Sequence, residues 1–598
     1  MLASYFSHYP VSPWRALCRH CSRIPRTTLL LAWVLLIALD LFVVRNSGWL
    51  VEHLFGKRFI VNFALSALIA WLLLYCMLGL MVRRPCLGFS VLLLLGIAYV
   101  AQISYFNVYN KFVTAFDFRF FVADPLLSLQ LGVQSVSLWH SFWGTVFGLL
   151  ILAVVMSIEA RPSLLRRWLS GCLALPLFLL IALNWYGTSS FQLAPVAYFG
   201  SLVSMLEVHA QTLDKPVKPQ LRRHAAKPGV PNIVVVVGES LNRDHLGLYG
   251  YERDTTPHLS AMLARGEVLA MQNAVGISPR TLTSVPYMLT GLQGVDPRGV
   301  IYTVPTLFNY AKSGGYQTAL ITAQDFQWRN LDQLFVDADL DHYEQGVNFS
   351  SDVSVSVGAD DLQVLQRGIL PYMKQASAQA EPFMLVAQMS GSHTPFSAQV
   401  PHVYKIYLPE NGPNSVNAYD NTVRYMDLYL SRLVEEARRL DPNTWVFYAS
   451  DHGEHVDDKG SRFHADFIPE VIRNPLLVFP PLGQLDAVKA ALDAPVSAAD
   501  IVPSALELMG VKPVTELGGV SLLHPIDPQR MRIVTAYMIT LHNDPRAALV
   551  FPDQSIYDID FKRKSVKLSD GETLIRYDEL ETKYRGLFEP RLNFSGEG

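Results

Sequence analysis

The chain reads as two parts of different class. An α-helical membrane domain of five spans is predicted over residues 1–187, and an exported α/β domain with a mostly parallel sheet over 231–598, with a linker at 188–230. Three observations predict this. Half of the 598 residues are hydrophobic and only 17% are charged, with a mean hydropathy of +0.22, which is too apolar for an ordinary soluble protein, a disordered chain or a nucleic-acid binder. The long apolar runs all fall before residue 187. After it, short apolar runs alternate with stretches of helical period. The net charge of −3 identifies no partner, because basic and acidic stretches occupy different parts of the chain.

In the first part, the apolar stretches near 27–44, 59–82, 86–106, 141–158 and 168–186 are each long enough to cross a hydrocarbon core of about 30 Å at 1.5 Å per residue. No small-residue cleavage site follows the first, and four more come after it, so it reads as a retained anchor. Arg15, Arg19, Arg23, Arg26, Arg83, Arg84, Arg161, Arg166 and Arg167 lie on one side of the spans, nine positive residues against five on the other: Arg45, Lys57, Arg58, Lys111 and Arg119. The positive-inside rule then places the N-terminus in the cytoplasm and everything after the fifth span outside. The stretch 107–140 mixes aromatic and charged residues as an interfacial segment does. Asp40, late in the first span, is expected to snorkel to the interface. Cys18 and Cys21 form a CxxC with no second ligand pair, the pattern of a juxtamembrane segment rather than a metal site. The linker is polar, with an amphipathic helix expected around 197–212 and basic residues near its end.

All five cysteines lie in the first part, so the exported half must hold together without disulfides, and it is large enough to do so. Its short apolar runs Ile233–Val237, Thr318–Thr322, Phe383–Met389, Trp445–Ala449 and Leu476–Phe479 have the continuous character of strands buried on both faces. The clearest helix covers 420–440, where Val423, Met426, Leu430, Leu433 and Ala437 share a face that excludes Arg424, Asp427, Glu435 and Arg438. An alternating α/β pattern puts chemistry at the carboxyl ends of the strands. There the sequence delivers Glu239 after the first strand, His393 after the run at 383–389, and Asp451 and His452 after the run at 445–449. Carboxylates and imidazoles from separate strand ends make the oxygen and nitrogen set that suits Zn²⁺ or Mn²⁺, although Asp and His after a strand also cap helices.

Six ordered motifs carry a resemblance: Gly238–Glu239–Ser240, Tyr249 to Pro257 (YGYERDTTP), Ser278–Pro279–Arg280–Thr281 with Ser284–Val285–Pro286, Gly391–Ser392–His393, Asn417–Ala418–Tyr419–Asp420–Asn421, and Ser450 to Glu454 (SDHGE). Together with the five spans they resemble the membrane-bound phosphoethanolamine transferases of the alkaline phosphatase and sulfatase superfamily. The stretch Ala499–Val511 is similar to a helix common across sulfatases. The resemblance implies that Thr281 is the nucleophile, that Glu239, Thr281, Asp451 and His452 hold a zinc ion, with Mn²⁺ the alternative, and that His393 and His464 contact the substrate. His464 falls at the family's spacing after Asp451, with His455 the competing candidate. A dication beside Thr281 suits that role, since it makes a weakly acidic hydroxyl available as a nucleophile.

The same resemblance implies a bacterial inner-membrane protein with its catalytic domain in the periplasm, membrane lipids around it, phosphatidylethanolamine as donor, and lipopolysaccharide or another envelope glycan as acceptor. Lipid A-modifying members carry disulfides around the nucleophile; here Ile277 and Tyr287 flank Thr281, and the segment looks more like members that modify the lipopolysaccharide core. A sulfatase needs Cys or Ser in a C/S-x-P-x-R element, and around Pro279 the two defining places hold Ile277 and Thr281. A phosphoglycerol transferase shares the nucleophile and the metal residues, and a catalytically lapsed domain that binds lipid or regulates a partner is the non-enzyme alternative.

Overall fold

The computed structural model describes residues 218–587 apart from short breaks, the longest at 537–544, and parts of 26–209, chiefly 26–45, 60–70, 85–109 and 192–209. The chain divides into two compact units, Met1–Asp214 and Lys215–Gly598.

The first unit contains helices α1 (Arg26–Leu39), α2 (Pro85–Tyr109) and α3 (Ala194–His209). Among the described residues no helix is long and apolar enough to cross a membrane. Of the five predicted spans, 168–186 lies wholly outside the described residues, as do most of 59–82 and 141–158, and with them CxxC and most of 107–140. Helix α3 overlaps the stretch where an amphipathic helix is expected, 197–212, but its apolar residues do not gather on one face. Leu39, Val44, Ile103, Phe106 and Ala197 form one apolar cluster. Asp40 does not snorkel. It is fully buried and paired with the equally buried Arg45, whose guanidinium also covers the Phe112 ring at 4.8 Å. A charge withdrawn from both water and headgroups needs such a partner.

The second unit is built on a seven-stranded sheet. Its strands are β1 (Asn232–Gly238), β2 (Leu269–Ala270), β3 (Gln317–Thr322), β4 (His342–Glu344), β5 (Phe383–Gln388), β6 (Thr444–Ser450) and β7 (Leu476–Phe479). They lie in the order β2-β7-β6-β1-β5-β3-β4. The five from β6 to β4 are parallel, with Val235 of β1 beside both Val386 and Phe447, and β7 is antiparallel to β6. All five strands expected from the apolar runs are present. Every residue of β1 is buried because both faces of the sheet are covered. One layer includes Val235, Val285, Tyr287, Phe308 and Ile501; the other includes Val234, Leu385, Tyr419, Leu430 and Leu433. Each large side chain so buried contributes about 1.5–3 kcal/mol of transfer free energy.

The helices that matter for the site are α4 (Pro257–Ala264), α5 (Thr281–Thr290), α6 (Val416–Leu440) and α7 (Ile501–Met509). Ser415 caps α6 by accepting from the Ala418 amide, and the predicted stripe from Val423 to Ala437 faces the core. Asp427 departs from the expected pattern: it is buried rather than on the outer face, and its carboxylate accepts from the amides of His258 and Leu259 at 3.1 and 2.8 Å. It thereby caps α4 with groups the helix itself leaves unpaired, while burial pushes its carboxyl up to about 6.

A second sheet was not foreseen. Five antiparallel strands run in chain order from Arg532–Thr535 to Leu574–Arg576. The end of the predicted linker also belongs to this unit: Lys218 pairs with Asp337 at 3.1 Å, Arg223 with Asp339 at 2.6 Å, and the His224 amide donates to the Ser313 carbonyl at 2.8 Å.

Candidate metal centre and active site

Because β1, β5 and β6 are parallel, the polar residues that follow them meet at one edge of the sheet. Gly238 lets β1 reach it. A Cβ there would stand 2.2 Å from the Tyr448 hydroxyl, so any larger residue would separate β1 from β6. Ser240 then adopts a left-handed φ of 55° and turns the chain. The Tyr419 hydroxyl accepts from the Asn242 amide and donates to the Ser240 carbonyl, both at 2.7 Å, bracing a conformation that costs a non-glycine residue free energy.

Glu239 from the β1 end and Asp451 and His452 from the β6 end are buried, with ligand atoms all within 4.8 Å of one another. The His452 Nδ1 is 2.8 Å from the Gly453 carbonyl. A carbonyl only accepts, so Nδ1 carries the proton and the Nε2 lone pair faces the cluster. Nε2 lies 3.5 Å from both Glu239 Oε1 and Asp451 Oδ2. Asp451 Oδ1 accepts from the amides of Ser240 and His452 at 3.0 and 2.7 Å, whereas its buried Oδ2 takes no hydrogen bond.

Burial and the Glu239 charge push the Asp451 carboxyl up to about 7. Burial opposes a charge on His452, but the carboxylates of Asp451 and Glu239 outweigh it and raise its pKa. Two carboxylates, an imidazole lone pair and an orphaned oxygen at one point are costly in a protein interior unless a cation joins them. The donor set fits a dication such as Zn²⁺.

Thr281 is the first residue of α5, after the extended Arg280. Its Oγ1 stands 3.2 Å from His452 Nε2 and 3.4 and 3.5 Å from the two Glu239 oxygens. The two nearby hydroxyls are placed elsewhere. Ser284 donates to the Asp451 carbonyl at 2.5 Å, which keys α5 to the ligand loop, and the Thr283 hydroxyl is buried with no hydrogen-bond partner. Thr281 also sits at a helix N-terminus, where unpaired amides favour developing negative charge.

His393 does not enter the cluster, so two strand ends supply the ligands rather than three. Its Nδ1 is 2.7 Å from the Thr394 carbonyl. The segment before it is nevertheless pinned to Glu239: Gly391 has a φ of 55°, a Cβ there would meet the Glu239 carbonyl at 2.9 Å, and the Ser392 amide donates to that carbonyl at 2.9 Å. The Asp361 carboxylate accepts from the Ser390 and Gly391 amides at 2.8 and 2.9 Å. His464 lies against the centre, its ring centroid 4.1 Å from that of His452. Its Nδ1 is 3.1 Å from the buried carboxylate of Glu454. His455 is half-buried.

Two of the six motifs supply neither a candidate ligand nor an expected substrate contact and work as braces. Asp420, fully buried, meets His245 Nδ1 at 2.8 Å, Arg253 at 2.7 Å and the Tyr251 hydroxyl at 3.1 Å. Asn421 accepts from the amides of Ile406 and Tyr407, both at 2.9 Å. Reasoning from sequence missed Gln324, which donates to Glu239 Oε2 at 2.7 Å, and the roles of Glu454 and Asp361. Glu454 was signalled by its place in the SDHGE motif; Gln324 stands in no motif.

The family model described as Sulfatase matches residues 231–511. The chain is 29% identical over 240 residues to phosphoethanolamine transferase EptC of Escherichia coli O18:K1:H7, covering 38% of this chain and 40% of that one. It is 26% identical over 263 residues to the Kdo(2)-lipid A phosphoethanolamine 7''-transferase of Salmonella typhimurium, covering 41% and 44%. The chain thus spans about two fifths of the length of these curated relatives. The fold is shared with the integral membrane lipooligosaccharide phosphoethanolamine transferase A of Neisseria meningitidis, at a TM-score of 0.59 and 16% identity over 80% of this chain and 96% of that one. The lipid A-modifying relative matches at an identity similar to that of EptC, and the expected leaning toward core-modifying members finds no separate support in these identities. Over residues 231–511 the chain is thus similar to the Sulfatase family model, and the curated relatives it matches are phosphoethanolamine transferases.

Proposed function

We propose that this protein transfers phosphoethanolamine from phosphatidylethanolamine, through a covalent intermediate on Thr281, to an envelope acceptor such as lipopolysaccharide core or lipid A. One observation carries the reading: of the three hydroxyls at the start of α5, Thr281 faces Glu239 and His452 while Ser284 is bound to a backbone carbonyl and Thr283 is buried away. Glu239, Asp451, His452 and Thr281 would hold Zn²⁺, with Mn²⁺ the alternative. Bound there, the ion supplies positive charge that makes the hydroxyl more acidic and draws charge from the phosphoryl group.

In the first step Thr281 Oγ1, its proton released to water, bonds to phosphorus as the bond to the diacylglycerol oxygen breaks. His464, oriented by Glu454, protonates that leaving oxygen, and His393 contacts the phosphate. In the second step an acceptor hydroxyl or phosphate gives its proton to His464 and its oxygen bonds to phosphorus as the bond to Thr281 Oγ1 breaks, which restores both residues for the next donor. Five spans with an inward N-terminus put residues 231–598 in the periplasm. Donor and acceptor are then both amphiphiles in the bilayer to which the enzyme is tied, which raises their effective concentration. The cysteine-free exported half favours the lipopolysaccharide core or another envelope glycan as acceptor.

Without acceptor, the wild type should release a single burst of diacylglycerol and gain phosphoethanolamine on the peptide containing Thr281, as read by mass spectrometry. Thr281→Ala should do neither, and Thr283→Ala should do both. Normal turnover by Thr281→Ala, or a modified peptide mapping to Thr283 or Ser284, overturns the assignment. No burst with phosphatidylethanolamine, but one with phosphatidylglycerol, makes it a phosphoglycerol transferase. No burst with any phospholipid leaves a binding domain. A reporter fused after residue 230 that is active only in the cytoplasm overturns the topology.

A further inference from the structure

We infer that Gln324 is a positioning residue for Glu239 and sets how tightly the centre holds its ion; the inference rests on the metal reading above. Strand β3 ends beside β5, and two residues on, the Gln324 backbone is held on both sides. Its amide donates to Thr322 Oγ1 at 3.0 Å, and its carbonyl accepts from the Gly346 amide at 3.1 Å.

The side-chain Nε2 has two hydrogens and both are directed. One goes to Glu239 Oε2 at 2.7 Å and the other to the Met389 carbonyl at 3.0 Å. Both partners only accept when Glu239 is ionised, so the amide orientation is fixed chemically: a flipped amide would set oxygen against oxygen at both contacts. Ser240 Oγ meanwhile donates to Glu239 Oε1 at 2.8 Å.

A glutamate carboxylate otherwise turns freely about its last torsion. With Ser240 Oγ on one oxygen and Gln324 Nε2 on the other, the plane of the carboxylate is set. The donor's neutrality matters as much as its position. A lysine or arginine at 324 would satisfy Glu239 equally well and repel the ion, whereas an amide orients the charge without cancelling it. The same nitrogen binds the end of β5, from which Ser390 to His393 depart. A metal ligand and the segment carrying a proposed substrate contact are therefore registered to each other through one side chain.

Losing such an outer partner costs about 10–100-fold in metal affinity. The test uses the full chain in detergent, stripped of metal and titrated with Zn²⁺ against a chromophoric chelator. Gln324→Met keeps length and apolar volume but removes the donor; it should weaken zinc binding about 10–100-fold while the metal-free melting temperature stays at the wild-type value. Gln324→Asn, which retracts the amide by one methylene, should fall between. Wild-type zinc affinity in Gln324→Met overturns the inference alone. So does a loss of affinity matched by an equally large drop in metal-free melting temperature, because that marks a structural role. A wild type that binds no zinc overturns the metal reading and this inference with it.

Discussion

Asp420 and Asp451 are both fully buried carboxylates, and their surroundings are opposite in sign. Asp420, in the first turns of α6, meets the Arg253 guanidinium, the His245 ring and the Tyr251 hydroxyl. Asp500, just before α7, is served likewise by both terminal nitrogens of Arg530, at 2.7 and 2.8 Å. Asp451 instead faces a second carboxylate and keeps one oxygen without a hydrogen bond. A buried charge that serves the fold brings its counter-charge within the chain. One that serves chemistry leaves part of it to be supplied from outside.

The sharpest way to break this comparison is to remove each acid in turn. Asp451→Ala should lose the metal and slow turnover on the order of 10³-fold or more. Metal-free Asp451→Asn, which keeps an acceptor for the Ser240 and His452 amides but removes one of two repelling carboxylates, should melt no lower than the wild type. Metal analysis and calorimetry check this, and full metal occupancy would mean that the ligands are misassigned. Asp420→Ala should show the reverse, a loss of about 3 kcal/mol in denaturant stability from the stranded partners Arg253, His245 and Tyr251, with near-native zinc affinity. If Asp451→Asn and Asp420→Ala destabilise the metal-free protein equally, the distinction fails.

A smaller effect comes from Asp361, whose carboxyl burial raises to about 7 despite the two amides it accepts from. Its folded pKa lies above the unfolded value of about 3.9. Its contribution to stability is therefore fully present below pH 4 and is lost as pH rises through 7. Asp361→Asn should flatten that part of the stability profile of the metal-free protein between about pH 4 and 7. Smallest of all, Thr283→Val exchanges an unpartnered hydroxyl for a methyl group. It should change stability by less than about 1 kcal/mol and leave the Thr281 adduct intact.

The legible parts of the molecule were those where one physical pressure acts on consecutive residues. A strand buried on both faces must be apolar throughout, and so β1, β5 and β6 stood out, and with β1 and β6 the candidate ligands at their ends. The β2 and β4 edges are two and three residues long, too short to carry a period. The antiparallel sheet at 532–576 has half-exposed strands such as Ile556–Asp560, whose pattern is diluted by polar residues. Asp427 and Asp40 were misplaced for a common reason: helical period and span position say where a side chain starts, not which partner awaits it. Gln324 escaped notice because an amide that orients a ligand differs in no sequence property from one facing water.

The two apolar layers that clamp the sheet also bear on where this unit can be made and handled. Residues 231–598 contain no cysteine, so the fold has no oxidative step to await and nothing for a thiol reagent to reverse. A reducing buffer that dismantles a disulfide-braced protein leaves this framework covalently unchanged, and supply of an oxidant does not limit how fast it matures. If the centre holds zinc as proposed, dithiothreitol, which also chelates that ion, should act on residues 231–598 through it alone, and adding the metal back should undo any inactivation.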